Sequence, residues 1–225
     1  MNFQWNHFKA FVFDFDGTLA VLNIDFGLMK RRVLDWMKSF GIPEERIRER
    51  YLLEIIDEVR HLLVEEAGVA SAERFYHGAH RILREVEIEA ADRGCMISGA
   101  PEVLSLLMER GLKVGIVTRN CEEAVRRVFP GIDACCHAFV SRNSVKRVKP
   151  HPEHLNSVLK ALQTEGNETV MVGDHVLDIL AGKGVGMRTI GVLTGYIKKN
   201  EFEEAGADWI LNDVVEISHF MEVKR

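Results

Sequence analysis

Two aspartates, Asp14 and Asp16, end the apolar run FVFDFD at residues 11–16. Side chains two positions apart in a strand point to the same face, so the two carboxylates would lie side by side. Such a pair is unfavourable unless a cation, a proton or a polar pocket compensates the charge. The spacing therefore predicts a charged site at the end of a buried strand. The same stretch also allows a plain loop, in which the aspartates cap the backbone and Gly17 makes the turn.

Further polar residues follow the later apolar segments of the chain. They are Thr118, Arg119 and Asn120 in VGIVTRN, Lys149 in VKRVKPHPEHL, and Asp174 and Asp178 in VMVGDHVLD. The carboxyl ends of parallel strands meet at one edge of a sheet, which is where ligands bind. Several carboxylates in one place suit Mg²⁺, which takes a few protein oxygens and keeps several waters. A hydroxyl and an ammonium group would then suit a phosphate that arrives with the metal.

A block of helices is predicted between residues 20 and 94. Apolar residues recur there at helical spacing, and no strand pattern interrupts them. The first helix is expected to end at Gly41, the second to open at Pro43 and end at Gly68, and the third to run to Gly94. These residues are therefore expected to form an all-α domain.

The segments on either side of this block show a different pattern. Residues 8–14 are predicted to form a buried strand, and after Gly94 apolar strands alternate with helices. This alternation is typical of a parallel sheet covered on both faces. We expect an α/β fold in which a Rossmann-like three-layer core, residues 1–19 and 95–225, carries the inserted helical domain.

Composition excludes several classes of protein. The 225 residues are 47% hydrophobic and 28% charged, which is ordinary for a globular protein. A formal net charge of −5 without a long basic run argues against nucleic acid as a partner. No apolar run approaches the ~20 residues needed to span a bilayer, and the first residues do not resemble a secretion signal. Cysteine spacing without a C-x-x-C pair favours reduced thiols, so we expect a cytoplasmic protein.

Four segments together resemble the haloacid dehalogenase superfamily in its phosphatase branch. They are DFDGT, the threonine of IVTRN, the lysine of VKPHPEHL, and GDHVLD, in that order along the chain. The resemblance covers nearly the whole sequence, and the family carries a helical cap after its first strand, where this chain has its helical block. The sequence around these segments is most similar to that of phosphoglycolate phosphatases.

The resemblance implies a role for each matched residue. Asp14 would be the nucleophile that forms an aspartyl-phosphate, and Asp16 would protonate the leaving group and later activate water. Mg²⁺ would be held by Asp14, the backbone carbonyl of Asp16, and Asp174. Thr118 and Lys149 would bind the phosphoryl group and stabilise its charge.

Other residues around these motifs have less specific predictions. The resemblance implies that Asp178 orients Lys149 or metal-bound water from outside the first layer of ligands. Arg119 and Asn120 are candidate substrate-binding residues, although the sequence favours a solvated loop position for Arg119. His175 is expected to line the pocket without a catalytic role. The histidine pair of PHPEH, His151 and His154, is expected to lie on a solvated helix face.

We therefore expect a Mg²⁺-dependent phosphatase for a small phosphorylated metabolite, with 2-phosphoglycolate as the preferred candidate. The alternatives are a phosphatase for another sugar phosphate or a nucleotide, a phosphomutase on the same fold, and a non-catalytic phosphate-sensing or interaction module. Neither a membrane nor nucleic acid is expected as a partner. The sequence leaves open whether the protein is a monomer or a homodimer.

Overall fold

The structure is a computed structural model, and it describes residues 7–222. The strands are β1 (Ala10–Phe13), β2 (Ala20–Val21), β3 (Cys95–Met96), β4 (Lys113–Val117), β5 (Ala138–Val140), β6 (Thr169–Gly173), β7 (Arg188–Val192) and β8 (Trp209–Leu211). The α-helices are α1 (Phe26–Lys38), α2 (Leu52–Ala67), α3 (Val69–Ala91), α4 (Ala100–Glu109), α5 (Glu122–Val128), α6 (Ile132–Cys135), α7 (Pro152–Leu162), α8 (Val176–Gly184), α9 (Lys199–Glu204) and α10 (Glu216–Glu222).

The chain divides into two compact units. One combines the residues up to Leu22 with those from Ala91 onward, and the other is formed by Asn23–Ala90. The second unit contains nearly all of the three consecutive helices predicted for residues 20–94.

The first unit is built on a six-stranded parallel sheet with the order β5-β4-β1-β6-β7-β8. All four residues of β1 and all five of β6 are buried, because helices cover a parallel sheet and leave neither face to water. Helix α7 packs on β4 and β5, and α8 packs on β6 and β7. This architecture confirms the predicted α/β fold with a Rossmann-like core.

A short antiparallel pair, β2 with β3, was not predicted from the sequence. Ala20 pairs with Met96, and Val21 pairs with Cys95. Each strand has only two residues, too few to show the alternation that identifies a strand. The pair connects the chain on both sides of the helical unit, and for this reason residues 20–22 and 91–94 group with the sheet.

The second predicted helix begins later than the sequence indicated. Pro43 precedes a single 3-10 turn at Glu44–Arg46, and the α-helix starts only at Leu52. The carboxylate of Glu58 accepts hydrogen bonds from the backbone N–H groups of Arg48 and Glu49, at 3.0 and 3.1 Å. A side chain of the helix therefore holds the intervening segment in a non-helical conformation.

Within residues 7–222, no helix is both long and apolar enough to cross a membrane.

Candidate active site

Three neighbouring strands bring the predicted site residues to one edge of the sheet. Asp14 follows β1, Thr118 follows β4, and Asp174 follows β6, and β1 lies between the other two strands. The backbone N–H of Asp14 continues the β1–β6 pairing by donating to the carbonyl of Val172 at 2.8 Å. Parallel pairing thus places residues from distant parts of the chain beside one another.

Lys149 lies between two carboxylates. Its Nζ is 2.6 Å from Asp14 Oδ1 and 2.7 Å from Asp178 Oδ1. The lysine is only 1% exposed, and so is Asp178. Burial alone would lower the pKa of Lys149, but Asp14 and Asp178 outweigh it and the pKa is raised. Lys149 is therefore a charged ammonium group. It is held beside Asp14, the residue that the sequence predicts as the nucleophile.

Three carboxylates form a compact acidic cluster. Ligand oxygens of Asp14, Asp174 and Asp178 all lie within 4.8 Å of one another. Burial, opposed by Lys149 and increased by Asp178, raises the pKa of Asp14 to about 6. Burial, then the charges of Asp14 and Asp178, raise the pKa of Asp174 to about 8. The single ammonium group of Lys149 does not neutralise the charge of three carboxylates. The carboxylates offer only oxygen ligands, which fit a hard divalent cation such as Mg²⁺.

This excess of negative charge gives a stability prediction for Asp174→Asn. Folding raises the pKa of this carboxyl from its ordinary value of 3.8 to about 8. Its contribution to stability is therefore fully present below pH 3.8 and is lost as the pH rises through about 8. We expect metal-free Asp174→Asn at pH 9 to be more stable than the parent chain by roughly 5–10 °C in Tm, equivalent to a few kcal/mol. Mg²⁺ should raise the Tm of the parent chain and not that of the variant. Thermal unfolding at pH 5 and 9, with chelator or with Mg²⁺, measures both effects, and a lower Tm for the variant at pH 9 would contradict them.

Asp16 is held apart from the acidic cluster. Its Oδ1 accepts the backbone N–H of Leu22 at 2.9 Å, so its side chain faces the start of the segment after β2. The cluster of three carboxylates does not include the Asp16 side chain. The prediction that the metal takes the backbone carbonyl of Asp16 does not require its carboxylate in this cluster.

Two glycines, Gly17 and Gly195, enclose Asp174, a contact that no sequence pattern predicts. A Cβ on Gly17 would lie 2.2 Å from Asp174 Oδ2, and a Cβ on Gly195 would lie 2.1 Å from the same atom. Gly17 also has a φ of +83°, which side-chain-bearing residues rarely adopt. The hydroxyl of Thr194 donates to the carbonyl of Gly17 and joins the two glycine segments. At positions 17 and 195 the carboxylate therefore leaves room for backbone only.

Thr18 also contacts Asp174, and its role was not predicted from the sequence. It is completely buried, and its Oγ1 donates to Asp174 Oδ1 over 3.4 Å. It is the final residue of the DFDGT segment, so the motif itself was the signal that could have identified it.

The segment after β4 is buried more deeply than a surface loop. Thr118 is 1% exposed, and its Oγ1 accepts the backbone N–H of Asn120 at 3.1 Å. The side-chain Nδ2 of Asn120 is buried and has no hydrogen-bond partner among residues 7–222. A buried donor without an acceptor is costly, so an anion at this position would be stabilised. Arg119 is half-buried and donates to the carbonyl of Lys149, which corrects the expectation of a solvated arginine.

Hydrogen bonds at the start of α8 fix the side chain of Asp178 and give His175 a structural role as a helix cap. The Nδ1 atom of His175 accepts the N–H of Leu177, and Asp178 Oδ2 accepts the N–H of His175, both at 3.1 Å. This reciprocal arrangement is a capping box. His175 is half-buried, and burial lowers its pKa. Its ring therefore acts as a helix cap next to Asp174.

The two histidines at the start of α7, His151 before it and His154 in its first turn, differ from the prediction for solvated residues. His151 caps the helix by accepting the N–H of Glu153 at 3.1 Å. His154 is completely buried, and its Nδ1 accepts the N–H of Lys149 at 3.1 Å. Helical spacing alone does not distinguish a solvated pair from a pair that supports a neighbouring loop.

Comparisons with known proteins place the chain in a family. Residues 8–186 match the model of the haloacid dehalogenase-like hydrolases. Pyrophosphatase PpaX from Halalkalibacterium halodurans is 32% identical over 130 residues, and the match spans 56% of this chain and 60% of that protein. Phosphoglycolate phosphatase from Haemophilus influenzae is 25% identical over 225 residues, spanning 93% of this chain and 96% of that protein.

A solved structure shares the fold. The crystal structure of a predicted phosphoglycolate phosphatase from Haemophilus somnus 129PT superimposes with a TM-score of 0.63 at 19% identity, covering 96% of this chain and 99% of that one. The family match covers most of the chain, and the strand-edge residues follow the order of the four segments that resemble the family. The chain is therefore a member of the haloacid dehalogenase-like hydrolase family.

Proposed function

We propose that this protein is a Mg²⁺-dependent phosphatase that hydrolyses a small phosphorylated metabolite through an aspartyl-phosphate on Asp14. The observation that carries the proposal is the set of Asp14, Lys149, Asp174 and Asp178 at the end of the parallel strands, in which Lys149 and Asp178 are buried. A carboxylate beside a fixed ammonium and two further carboxylates has the groups needed to receive a phosphoryl group together with a divalent cation.

The first step transfers the phosphoryl group to the enzyme. An Asp14 carboxylate oxygen attacks phosphorus and forms a P–O bond, while the bond from phosphorus to the substrate oxygen breaks. The departing oxygen takes a proton from the carboxyl group of Asp16, so a neutral alcohol leaves. Asp16 is suited to this role because its side chain lies outside the acidic cluster.

The second step regenerates the carboxylate. A water oxygen attacks phosphorus, its proton passes to the ionised Asp16, and the bond between phosphorus and Asp14 breaks. Inorganic phosphate leaves, and both aspartates return to their starting states. One carboxyl group thus serves as acid and then as base, a role worth typically 10²–10⁴-fold in rate.

The remaining polar groups support these steps. When bound, Mg²⁺ would offset the repulsion between the anionic phosphate and the anionic nucleophile. Lys149 holds positive charge beside Asp14 and would stabilise the phosphoryl oxygens as their charge changes. Thr118 and the unpaired Nδ2 of Asn120 would donate to those oxygens, and the Arg119 guanidinium beside the Lys149 carbonyl would add positive charge for a substrate anion.

The substrate is proposed from the relatives and from the chemistry together. We propose 2-phosphoglycolate first because the four segments are most similar to those of phosphoglycolate phosphatases; by coverage, a phosphoglycolate phosphatase (93% of this chain) and a putative pyrophosphatase (95%) match equally well. Inorganic pyrophosphate is the second candidate, since the relative with 32% identity is a pyrophosphatase matched over 60% of its length. The two substrates differ in what leaves: an alkoxide needs a proton from Asp16, whereas a phosphate leaving group needs one far less.

Metal-dependent phosphate release tests the proposed function. We expect the chain to release phosphate from an aryl phosphate, and faster from at least one member of a panel that includes 2-phosphoglycolate, sugar phosphates, nucleotides and pyrophosphate. Because the acidic cluster requires a cation, chelator should remove this activity and added Mg²⁺ should restore it. Full activity in excess chelator, or no phosphate release from the whole panel with Mg²⁺ present, would contradict the proposal.

A further inference from the structure

Side chains bond both polar backbone groups of Lys149. Its N–H donates to Nδ1 of His154 at 3.1 Å, and its carbonyl accepts from the guanidinium of Arg119. Its own side chain reaches Asp14 and Asp178 at 2.6 and 2.7 Å. The lysine is therefore fixed at both ends, at the backbone by His154 and Arg119 and at the ammonium by the two carboxylates.

His154 links this lysine to the sheet. The ring is completely buried, and its Nε2 lies 3.1 Å from the carbonyl oxygen of Val140 at the end of β5. That same carbonyl accepts the backbone N–H of Thr118 at 3.1 Å. The two ring nitrogens thus connect the Lys149 segment to the strand that also positions Thr118.

The hydrogen bonds assign one form of the imidazole. Nδ1 accepts from Lys149, so the proton lies on Nε2, where it donates to Val140. Burial, together with the charge of Lys149, lowers the pKa of His154 to about 4. The neutral ring that this geometry requires is the stable form at neutral pH.

We propose that His154 is a positioning residue for Lys149. For its kinetic consequence this inference rests on the proposed function, since it assigns His154 to the placement of a group used there. Pro150 and Pro152 carry no N–H, so the segment offers few backbone donors for a regular hydrogen-bonded turn. One backbone bond closes a turn there, from the N–H of His151 to the carbonyl of Val148 at 2.9 Å. The imidazole adds a bond at the Lys149 N–H, and it keeps the base of a flexible four-carbon side chain at a constant distance from Asp14.

Two amide substitutions test the hydrogen bonds of the two ring nitrogens separately. The side-chain oxygen of asparagine occupies the place of Nδ1, so His154→Asn keeps an acceptor for Lys149 and loses the bond to Val140. The amide of glutamine reaches the place of Nε2, so His154→Gln keeps the bond to Val140 and loses the acceptor for Lys149. His151→Gln is the matched control, because His151 caps the same helix through Glu153.

The direct readout is the reactivity of the Lys149 amine, which does not depend on enzymatic activity. Native protein is treated with an amine-acylating reagent, and labelling rates are followed by mass spectrometry, with exposed Lys146 and Lys160 as internal references. We expect Lys149 to react roughly 10-fold faster in His154→Gln, the scale of leaving a buried N–H unsatisfied. Rates in His154→Asn and His151→Gln should stay near those of the parent chain. Equal Lys149 rates in all four proteins would overturn the proposal.

Steady-state kinetics give the second readout. We expect kcat of His154→Gln to fall about 10- to 100-fold, the cost of misplacing a catalytic group by about 1 Å, with a smaller change in KM. His154→Asn should recover most of the loss, and a loss as large in Asn as in Gln would overturn the positioning role. A parent chain without phosphatase activity would contradict the proposed function alone, because the labelling experiment still decides the role of His154. Should His154→Gln not fold, His154→Leu, which also removes the acceptor for the Lys149 N–H, is labelled instead: faster reaction of Lys149 is expected, and an unchanged rate would overturn the proposal.

Discussion

Asp14→Asn is expected to abolish phosphate release, with kcat falling on the order of 10⁴–10⁶-fold, the scale of removing a nucleophile. The amide has nearly the same size as the carboxylate, but it carries no charge and attacks phosphorus poorly. Asp14 is 2.6 Å from the Lys149 ammonium, so the substitution also removes one of the two negative charges beside that group. Asp178 remains as the other partner and keeps the lysine paired.

The fold of this variant should survive. Burial raises the pKa of Asp14 to about 6, so removing its charge relieves repulsion within the acidic cluster. Asp25→Asn is a suitable control, since Asp25 caps α1 with its side chain and asparagine caps equally well. The measurement is kcat for both variants beside thermal unfolding. Phosphate release by well-folded Asp14→Asn at a rate near that of the parent chain would refute Asp14 as the nucleophile.

Asp16→Asn is expected to separate the two half-reactions. It removes the proton shuttle and keeps the backbone carbonyl, so metal binding should largely persist. For alkyl phosphates, whose alkoxide leaving group needs a proton, kcat should fall on the order of 10²–10⁴-fold. For aryl phosphates and for pyrophosphate the first step should suffer less, because these leaving groups depart readily.

The second half-reaction still lacks its base in this variant. Phosphoenzyme should therefore accumulate with aryl phosphate, and acid-quenched protein should carry a stable phosphoryl group. The comparison uses kcat on alkyl and aryl substrates in the parent chain and in Asp16→Asn. An equal and small loss on both substrates would show that Asp16 is not the acid–base residue.

The fold and much of the candidate site followed from local patterns. Continuous apolar strands predicted a parallel sheet, and parallel strands must end at a common edge. For this reason Asp14, Thr118 and Asp174 could be placed near one another before any coordinates were known. Lys149 and Asp178 were predicted at the same edge, and family resemblance added the expectation that Asp178 orients Lys149.

Long-range side-chain contacts could not be predicted in the same way. Glu58 holds backbone N–H groups ten and nine residues earlier, and no helical period contains that information. His154 has the spacing of a solvated pair with His151, yet it supports Lys149. Gly195 belongs to a segment 21 residues beyond Asp174, and only the folded chain shows that the two are in contact. In each of these three cases the contact forms only once the chain has folded, so no local sequence pattern predicts it.

The site of phosphorylation tests the central claim most directly. Asp16→Asn is incubated with Mg²⁺ and an aryl phosphate, quenched in acid, digested, and analysed by mass spectrometry. We predict one phosphoryl group, located on Asp14 in the peptide that contains FVFDFDGT, and none when Asp14 is also replaced by asparagine. A phosphoryl group on another residue, or its persistence in the double variant, would contradict an aspartyl-phosphate mechanism through Asp14.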